Sequence, residues 1–375
     1  MILAQSISGI IFYSTQLLKI SLSKELMQTI TLITVCAGLV IILVTIGFAV
    51  FRRVYKRIQT QFEAHFRKWV ADEFTLLAKD PNHKVIIPLQ LKEALTNSIK
   101  RNIAVEELLV CKKYLKGAAM QAAVNLYRDL DLRKVTNKKL TSSIWSRVVK
   151  GIQEIYIFDQ YDAMEQLYHF ADNSNPFIRA EAQFGVVNLQ GFDALRFLKN
   201  VQNQLSTWDQ INILEQLKLF TPKPLDEMPV WLKSSNDSVV LLGLKILYEY
   251  PDDRFYSNMI VCLDHPNPLI RYHAIRCCEK INVFDTNEKL ENQYSNETIE
   301  NQLLLLDVLM LLPEIPGAKL LVSLLKEPNE LIRLKAAENI VKHYDKGLLL
   351  VESVEDNNEE RKAQLIKHLQ TEICL

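Results

Sequence analysis

Asn175-Pro-Phe-Ile-Arg179-Ala-Glu-Ala182 returns as Asn267-Pro-Leu-Ile-Arg271-Tyr-His-Ala274, and again as Asn329-Glu-Leu-Ile-Arg333-Leu-Lys-Ala336. Weaker copies begin at Asn236 (NDSVVLLG), Asn296 (NETIENQL) and Asn357 (NNEERKAQ). The wide gap between Asn175 and Asn236 predicts one more, degenerate, near residues 205–219. The mean period is then about 30 residues, and periods of that size belong to stacked helix pairs. The chemistry inside each copy agrees. Asn is a strong N-cap, and Pro176 and Pro268 fall at the first helical position, where an absent N–H is not missed. Ile178, Ile270 and Ile332 open an apolar face, while Ala182, Ala274, Ala336 and Gly243 stay small where a paired helix crosses closely. A second helix is expected before each copy, as over residues 161–171, 254–263 and 317–325, with short turns rich in Asp, Pro and Asn between them.

The pattern N-P-x-I-R-x-x-A at this spacing resembles the HEAT repeat, in the short form found in many bacterial proteins. The resemblance covers roughly residues 155–372 and implies an all-α chain whose residues 155–375 form a solenoid of stacked antiparallel helix pairs, with residues 85–154 as diverged leading helices. It also implies that Arg179, Arg271 and Arg333, and more loosely Arg361, join an acid–base ladder along the inner helices. Val240 and Glu300 occupy that place in two copies and interrupt it.

Toward the N-terminus, residues 29–51 read TITLITVCAGLVIILVTIGFAVF without a charge. As a helix this segment rises about 34 Å, enough for a hydrocarbon core of ~30 Å. Arg52, Arg53, Lys56 and Arg57 follow at once, whereas only Lys19, Lys24 and Glu25 precede. The positive-inside rule then gives a single-pass protein of the inner (plasma) membrane, with residues 1–28 outside and the large C-terminal part cytoplasmic. The late start, the length and the downstream charge are unlike a cleaved signal peptide. Residues 2–20 are moderately apolar but broken by polar side chains, so an interfacial helix is expected there, with a second span as the alternative. Across residues 52–79, Ile58, Phe62, Phe66, Trp69, Val70, Phe74 and Leu77 form one helical stripe. Packing of that stripe against the following helices is favoured over a position flat on the inner leaflet. Arg52, Arg53, Lys56 and Arg57 are the residues expected to meet anionic lipid headgroups.

Composition excludes several classes. Only 10 of 375 residues are Gly, which counts against phosphate-cradling loops and β-rich barrels, and 49% apolar residues exclude a disordered chain. The net charge of zero hides an asymmetry: residues 52–150 hold 21 basic and 9 acidic side chains, residues 151–375 hold 21 and 34. A basic half beside a membrane and an acidic half beyond it predict anionic lipid for the first and a protein partner with a basic surface for the second. Phosphate-loop, dinucleotide, nucleophile-elbow and zinc-protease motifs are absent from the sequence. Asp129 and Asp131 match a D-x-D, but their surroundings read as helical. His273 and Cys277 are four apart and lack a second ligand pair, so no metal is expected. The aromatics of residues 154–172 sit at helical spacing and read as core rather than a ligand box, although Tyr156, Tyr161 and Tyr168 cannot all be buried easily. The basic cluster of residues 133–150 has Trp145 as its one interleaved aromatic, and nucleic acid is not expected. Six cysteines without a C-x-x-C read as reduced thiols.

These readings converge on a membrane-anchored protein-binding scaffold or adaptor, not an enzyme, without catalytic residues or cofactor. Arg179, Glu181, Arg271, His273, Arg333 and Lys335 are the candidate partner-binding residues. Two alternatives stay open: an accessory subunit of a membrane enzyme complex, such as an envelope-polysaccharide glycosyltransferase, and an enzyme built on the repeats. The enzyme would be either metal-dependent or, as the resemblance implies for some short bacterial HEAT proteins, a lyase of the bilin type.

Overall fold

Asn97, Asn175, Asn236, Asn267 and Asn329 each accept a hydrogen bond on the side-chain oxygen from the backbone N–H two residues on, and a helix starts at every one of them. Such a cap satisfies one of the four N–H groups that a helix start leaves without an internal partner. The degenerate copy starts at Ser206, whose hydroxyl and the Asp209 carboxylate bond each other's backbone N–H in a capping box. The copy at Asn296 needs a correction. Its helix begins at Ile299 with Thr298 as cap, and Asn296 instead ends a short 3-10 turn. Glu297, between that turn and the helix, is paired with Arg271 at 2.7 Å. Asn357 and residues 2–20 lie outside the described residues.

The computed structural model describes residues 24–80, 82–283, 285–312, 318–354 and 359–373. Among them every regular element is helical and no strand occurs. The chain divides into two compact units, Met1–Leu132 and Arg133–Leu375, so the region 85–154 expected as leading helices is shared between them.

The first unit contains α1 (Lys24–Lys79), α2 (Leu89–Ala94), α3 (Ser98–Tyr114) and α4 (Gly117–Asp129). Helix α1 runs unbroken for 56 residues, and its two halves meet different surroundings. Phe62, Phe66, Val70, Phe74 and Leu77 are buried where α1 packs on α3 and α4, as the stripe predicts, while Ile58 stays exposed. Each such side chain contributes roughly 1.5–3 kcal/mol on burial. Arg67 fastens the packing by a two-pronged bond to the Glu107 carboxylate, at 2.7 and 2.8 Å. Over residues 29–51 none of the apolar surface is covered: Leu32, Ile41, Leu43, Val44 and Phe51 are all exposed. The hydroxyls of Thr31, Thr34 and Thr45 donate to carbonyls of their own helix, leaving few polar groups that would require water. α1 is thus long and apolar enough to cross a membrane.

The second unit begins with α5 (Arg133–Leu140), α6 (Trp145–Ile157), α7 (Met164–Phe170) and α8 (Pro176–Gln190). It continues with α9 (Thr207–Leu217), α10 (Met228–Trp231), α11 (Asp237–Glu249), α12 (Tyr256–Ile260) and α13 (Pro268–Cys278). Last come α14 (Thr286–Gln293), α15 (Ile299–Leu311), α16 (Ala318–Leu324), α17 (Glu330–His343), α18 (Gly347–Ser353) and α19 (Glu359–Ile373). The capped helices pack on one another in chain order: α8 on α6 and α9, α13 on α11 and α15, α17 on α15 and α19. Hydrogen bonds repeatedly join residues about thirty apart, as from the Asn267 amide to Asp237, the Cys262 thiol to the Leu232 carbonyl, and the Gln293 amide to the Leu263 carbonyl. Ala182, Ala274 and Ala336 are fully buried, and a Cβ on Gly243 would come within 3.3 Å of Leu232. Small side chains therefore set the close approach of neighbouring helices, as their place in each copy predicts.

Candidate binding groove

In most copies a large apolar residue in the first turn of the helix is turned away from the core, whereas α11 carries the buried Ser238 there. Ile178 and Ala182 lie inward on α8, so Phe177, one position earlier, is rotated about 100° off that stripe. Trp145 opens α6, and Trp208 is the second residue of α9. These three rings are 46%, 60% and 68% exposed for Trp145, Phe177 and Trp208. Trp145 and Phe177 stack with centroids 4.7 Å apart and planes 22° apart. Together with Tyr156, Glu181 and Asp209 they line a groove of about 440 Å³ across α6, α8 and α9.

Glu181 is half-buried in this groove. Its Oε1 accepts from the Tyr156 hydroxyl at 2.8 Å and its Oε2 from the Gln153 amide at 3.1 Å. Both donors are neutral, and among the described residues no Lys, Arg or His forms an ion pair with it. Burial, and then the neighbouring carboxylate, push the Tyr156 phenol well above its ordinary value, so it remains a donor throughout the physiological range. Asp209 is held by its capping role at Ser206. The charged side chains that line the groove are thus both acidic, beneath aromatic rings. Such a site can bind a cation or an apolar segment.

The other expected partner-binding residues have tasks within the fold. Arg179 donates from Nη1 to the carbonyls of Asn173 and Ser174, Arg271 to those of His265 and Pro266, and Arg333 to those of Glu327 and Pro328. The three arginines thus clamp the turn five and six residues before them. Arg271 alone of the three also has a carboxylate within hydrogen-bond distance among the described residues, Glu297 at 2.7 Å; the nearest to Arg333 is Glu330 at 3.9 Å. A continuous ladder is not formed at these positions. Lys335 pairs with Asp307. Arg52, Arg53, Lys56 and Arg57 are exposed on α1, and the Arg52 guanidinium lies over the Phe48 ring at 5.9 Å.

His273 is half-buried against Tyr272. Cys277 donates its thiol to the Leu244 carbonyl at 3.2 Å, and no group of three metal-ligating side chains occurs among the described residues. Burial, reinforced by Lys245 and Arg276, pushes the His273 imidazole down to about 4. A depressed histidine pKa contributes stability that is present above its unfolded value of ~6.5 and lost as the pH falls toward the folded one. The wild-type protein is therefore expected to lose more stability between pH 7 and pH 5 than His273→Gln does. Urea titrations followed by circular dichroism at the two pH values check this; equal losses would remove His273 from the account.

Asp129 ends α4, with Asp131 just beyond it in a left-handed turn (φ 51°), a helix terminus and not a strand-borne loop. The three tyrosines are not all buried, as expected: Tyr156 and Tyr168 are half-buried and Tyr161 is exposed. Phe177 and Trp208 escaped the sequence reading. The signal for them was present in most copies, as the apolar residue that precedes the inward stripe.

No family model matches the chain, and no curated protein sequence does. Among solved structures, one engineered protein is 14% identical over 74% of this chain and 86% of its own, with a TM-score of 0.33. A second engineered protein is 13% identical over 72% of this chain and 96% of its own, with a TM-score of 0.16.

Proposed function

We propose that this protein is a membrane-anchored scaffold that binds another polypeptide through the capped helices of its second unit. In this reading residues 155–372 form a HEAT-like solenoid, and residues 29–51 cross an inner membrane with the N-terminus outside. The second unit then lies in the cytoplasm, and Arg52, Arg53, Lys56 and Arg57 lie against anionic headgroups. One observation carries the binding role. Trp145, Phe177, Trp208, Leu269, Ile299 and Leu331 each stand exposed in the first turn of a helix, one per helix on α6, α8, α9, α13, α15 and α17, of which α6 alone lacks a side-chain cap. α11 is the exception, with the buried Ser238 at that place. Single exposed apolar residues are ordinary, but one at the first or second position of six helices makes a surface suited to an extended partner. The excess of acidic side chains over residues 151–375 adds a preference for a basic partner and a salt-sensitive association.

A photo-crosslinking residue placed at Leu269 in the intact membrane protein tests this. The expected result is one discrete adduct of higher mass that weakens at high salt, with no adduct from a control position at the buried Leu244. Equal labelling of bulk protein from both positions, or no adduct at Leu269, would sink the scaffold reading.

A further inference from the structure

The aromatic groove differs from several other ring-bearing surfaces of the second unit in one respect. Several exposed or half-exposed rings of this unit are covered by the chain's own cations: Arg196 lies over Tyr168 at 4.4 Å, Arg276 over Tyr248 at 4.2 Å and Lys289 over Tyr256 at 5.4 Å. Trp145, Phe177 and Trp208 have no such cation among the described residues, and neither does the Glu181 carboxylate between them. A ring face attracts cations, tryptophan most strongly, and an acidic group beside it adds to the attraction.

The acceptor geometry narrows the chemistry further. Each Glu181 oxygen accepts one bond from within the chain, from Tyr156 or from Gln153. A carboxylate oxygen offers two lone-pair sites, so one remains on each oxygen. A planar guanidinium matches two parallel acceptors with two parallel N–H groups, and its face stacks on aromatic rings as an ammonium cannot. The groove volume of about 440 Å³ admits such a side chain with its stem and an apolar neighbour. Phosphate or an anionic lipid headgroup would meet the Glu181 and Asp209 carboxylates and be repelled.

From these observations we infer that the groove between α6, α8 and α9 receives an arginine side chain of a partner polypeptide, its guanidinium bonded to Glu181 and stacked among Trp145, Phe177 and Trp208. This rests on the protein-binding reading above and specifies what that surface recognises.

The test uses the full-length protein in detergent and a fluorescently labelled probe, the peptide acetyl-Leu-Arg-Leu-Arg-Leu-amide. Its isosteric partner carries citrulline for arginine, which keeps the shape and most donors but removes the charge. The arginine peptide is expected to bind at least about tenfold more tightly than the citrulline peptide at physiological salt. It should also quench tryptophan emission, because Trp145 and Trp208 are the exposed tryptophans whereas Trp231 is buried. Glu181→Gln, which keeps an acceptor for Tyr156, should reduce that preference to about twofold or less, and Glu300→Gln, at the distant α15, should leave it intact. Equal affinity for the two peptides overturns the guanidinium assignment without any variant having to fold. A preference that survives Glu181→Gln also overturns it, since the charge is then read by the general acidity of the unit. In either case a discrete crosslink from Leu269 would leave the scaffold reading standing, so the two failures are distinguishable.

Discussion

Replacing Arg271 with alanine is expected to lower the unfolding free energy by about 3–5 kcal/mol, the range found when one partner of a buried ion pair is removed. The guanidinium holds three groups at once. Its Nη1 donates to the His265 and Pro266 carbonyls at 2.9 and 3.1 Å, and its Nε to Glu297 Oε1 at 2.7 Å. The Glu297 side chain is fully buried and also accepts from Gln293 at 3.0 Å and Asn301 at 2.8 Å. Truncation leaves that carboxylate without a counter-charge and strips two carbonyls of the turn between Val261–Asp264 and α13. Arg179 is the internal comparison. It clamps the same turn in its own copy without a carboxylate, so Arg179→Ala should cost only about 1–2 kcal/mol. Glu297→Gln added to Arg271→Ala should recover part of the loss, because it removes the uncompensated charge.

The pH dependence supplies an independent check on the pair. Burial alone would raise the Glu297 carboxyl, but Arg271, Gln293 and Asn301 together outweigh it and hold the group below its ordinary value. A depressed carboxyl contributes stability that is present above the unfolded pKa, ~4.3, and lost as the pH falls through the folded one. Without Arg271 the burial effect prevails and the sign reverses, so acidification should narrow the gap between variant and wild type. Denaturant titrations of both proteins at pH 7 and pH 4.5 measure this. A loss below about 1 kcal/mol at pH 7, or a gap that widens in acid, would remove the pair from the account.

The caps were legible in the sequence because their physics is local. An Asn followed by Pro and an apolar run has few other conformations to choose, and Asn175 and Asn267 start helices as expected. The role of Arg271 was not legible, since nothing in Ile270-Arg271-Tyr272 reveals that carbonyls at His265 and Pro266 lack donors. That need arises only when the turn has closed. The stripe from Phe62 to Leu77 showed its period, but its partners on α3 and α4 had to be found in space. A soluble fragment beginning near Lys84 would therefore strip five buried side chains from the first unit, and Arg133 is the better place to cut. The groove was hidden for a different reason. Trp145, Phe177 and Trp208 lie about thirty residues apart, and each alone reads as an incidental exposed ring.

Leu39→Arg combined with Leu43→Arg is expected to abolish membrane insertion. The two positions lie one helical turn apart near the middle of residues 29–51, and both leucines are exposed. At a span centre each arginine costs roughly 2.5–3.5 kcal/mol on insertion scales, so the pair opposes insertion by about 5–7 kcal/mol. Thr31, Thr34 and Thr45 of this segment bond to their own backbone, but a guanidinium has five donors and no acceptor within reach. From mid-span it must reach across half of a ~30 Å core, too far to snorkel fully to the headgroups. The substitutions leave Phe62–Leu77 and its packing untouched, so the first unit should still fold and loss of the protein to misfolding is not the expected route. Alkaline extraction of membranes should then move the variant into the soluble fraction while the wild type pellets. Neutralising Arg52, Arg53, Lys56 and Arg57 to glutamine should instead preserve pelleting and mix the orientation, read as partial protection of the second unit from protease in sealed vesicles. A double-arginine variant that still resists alkaline extraction would mean that α1 is held at the membrane by something other than its apolar surface.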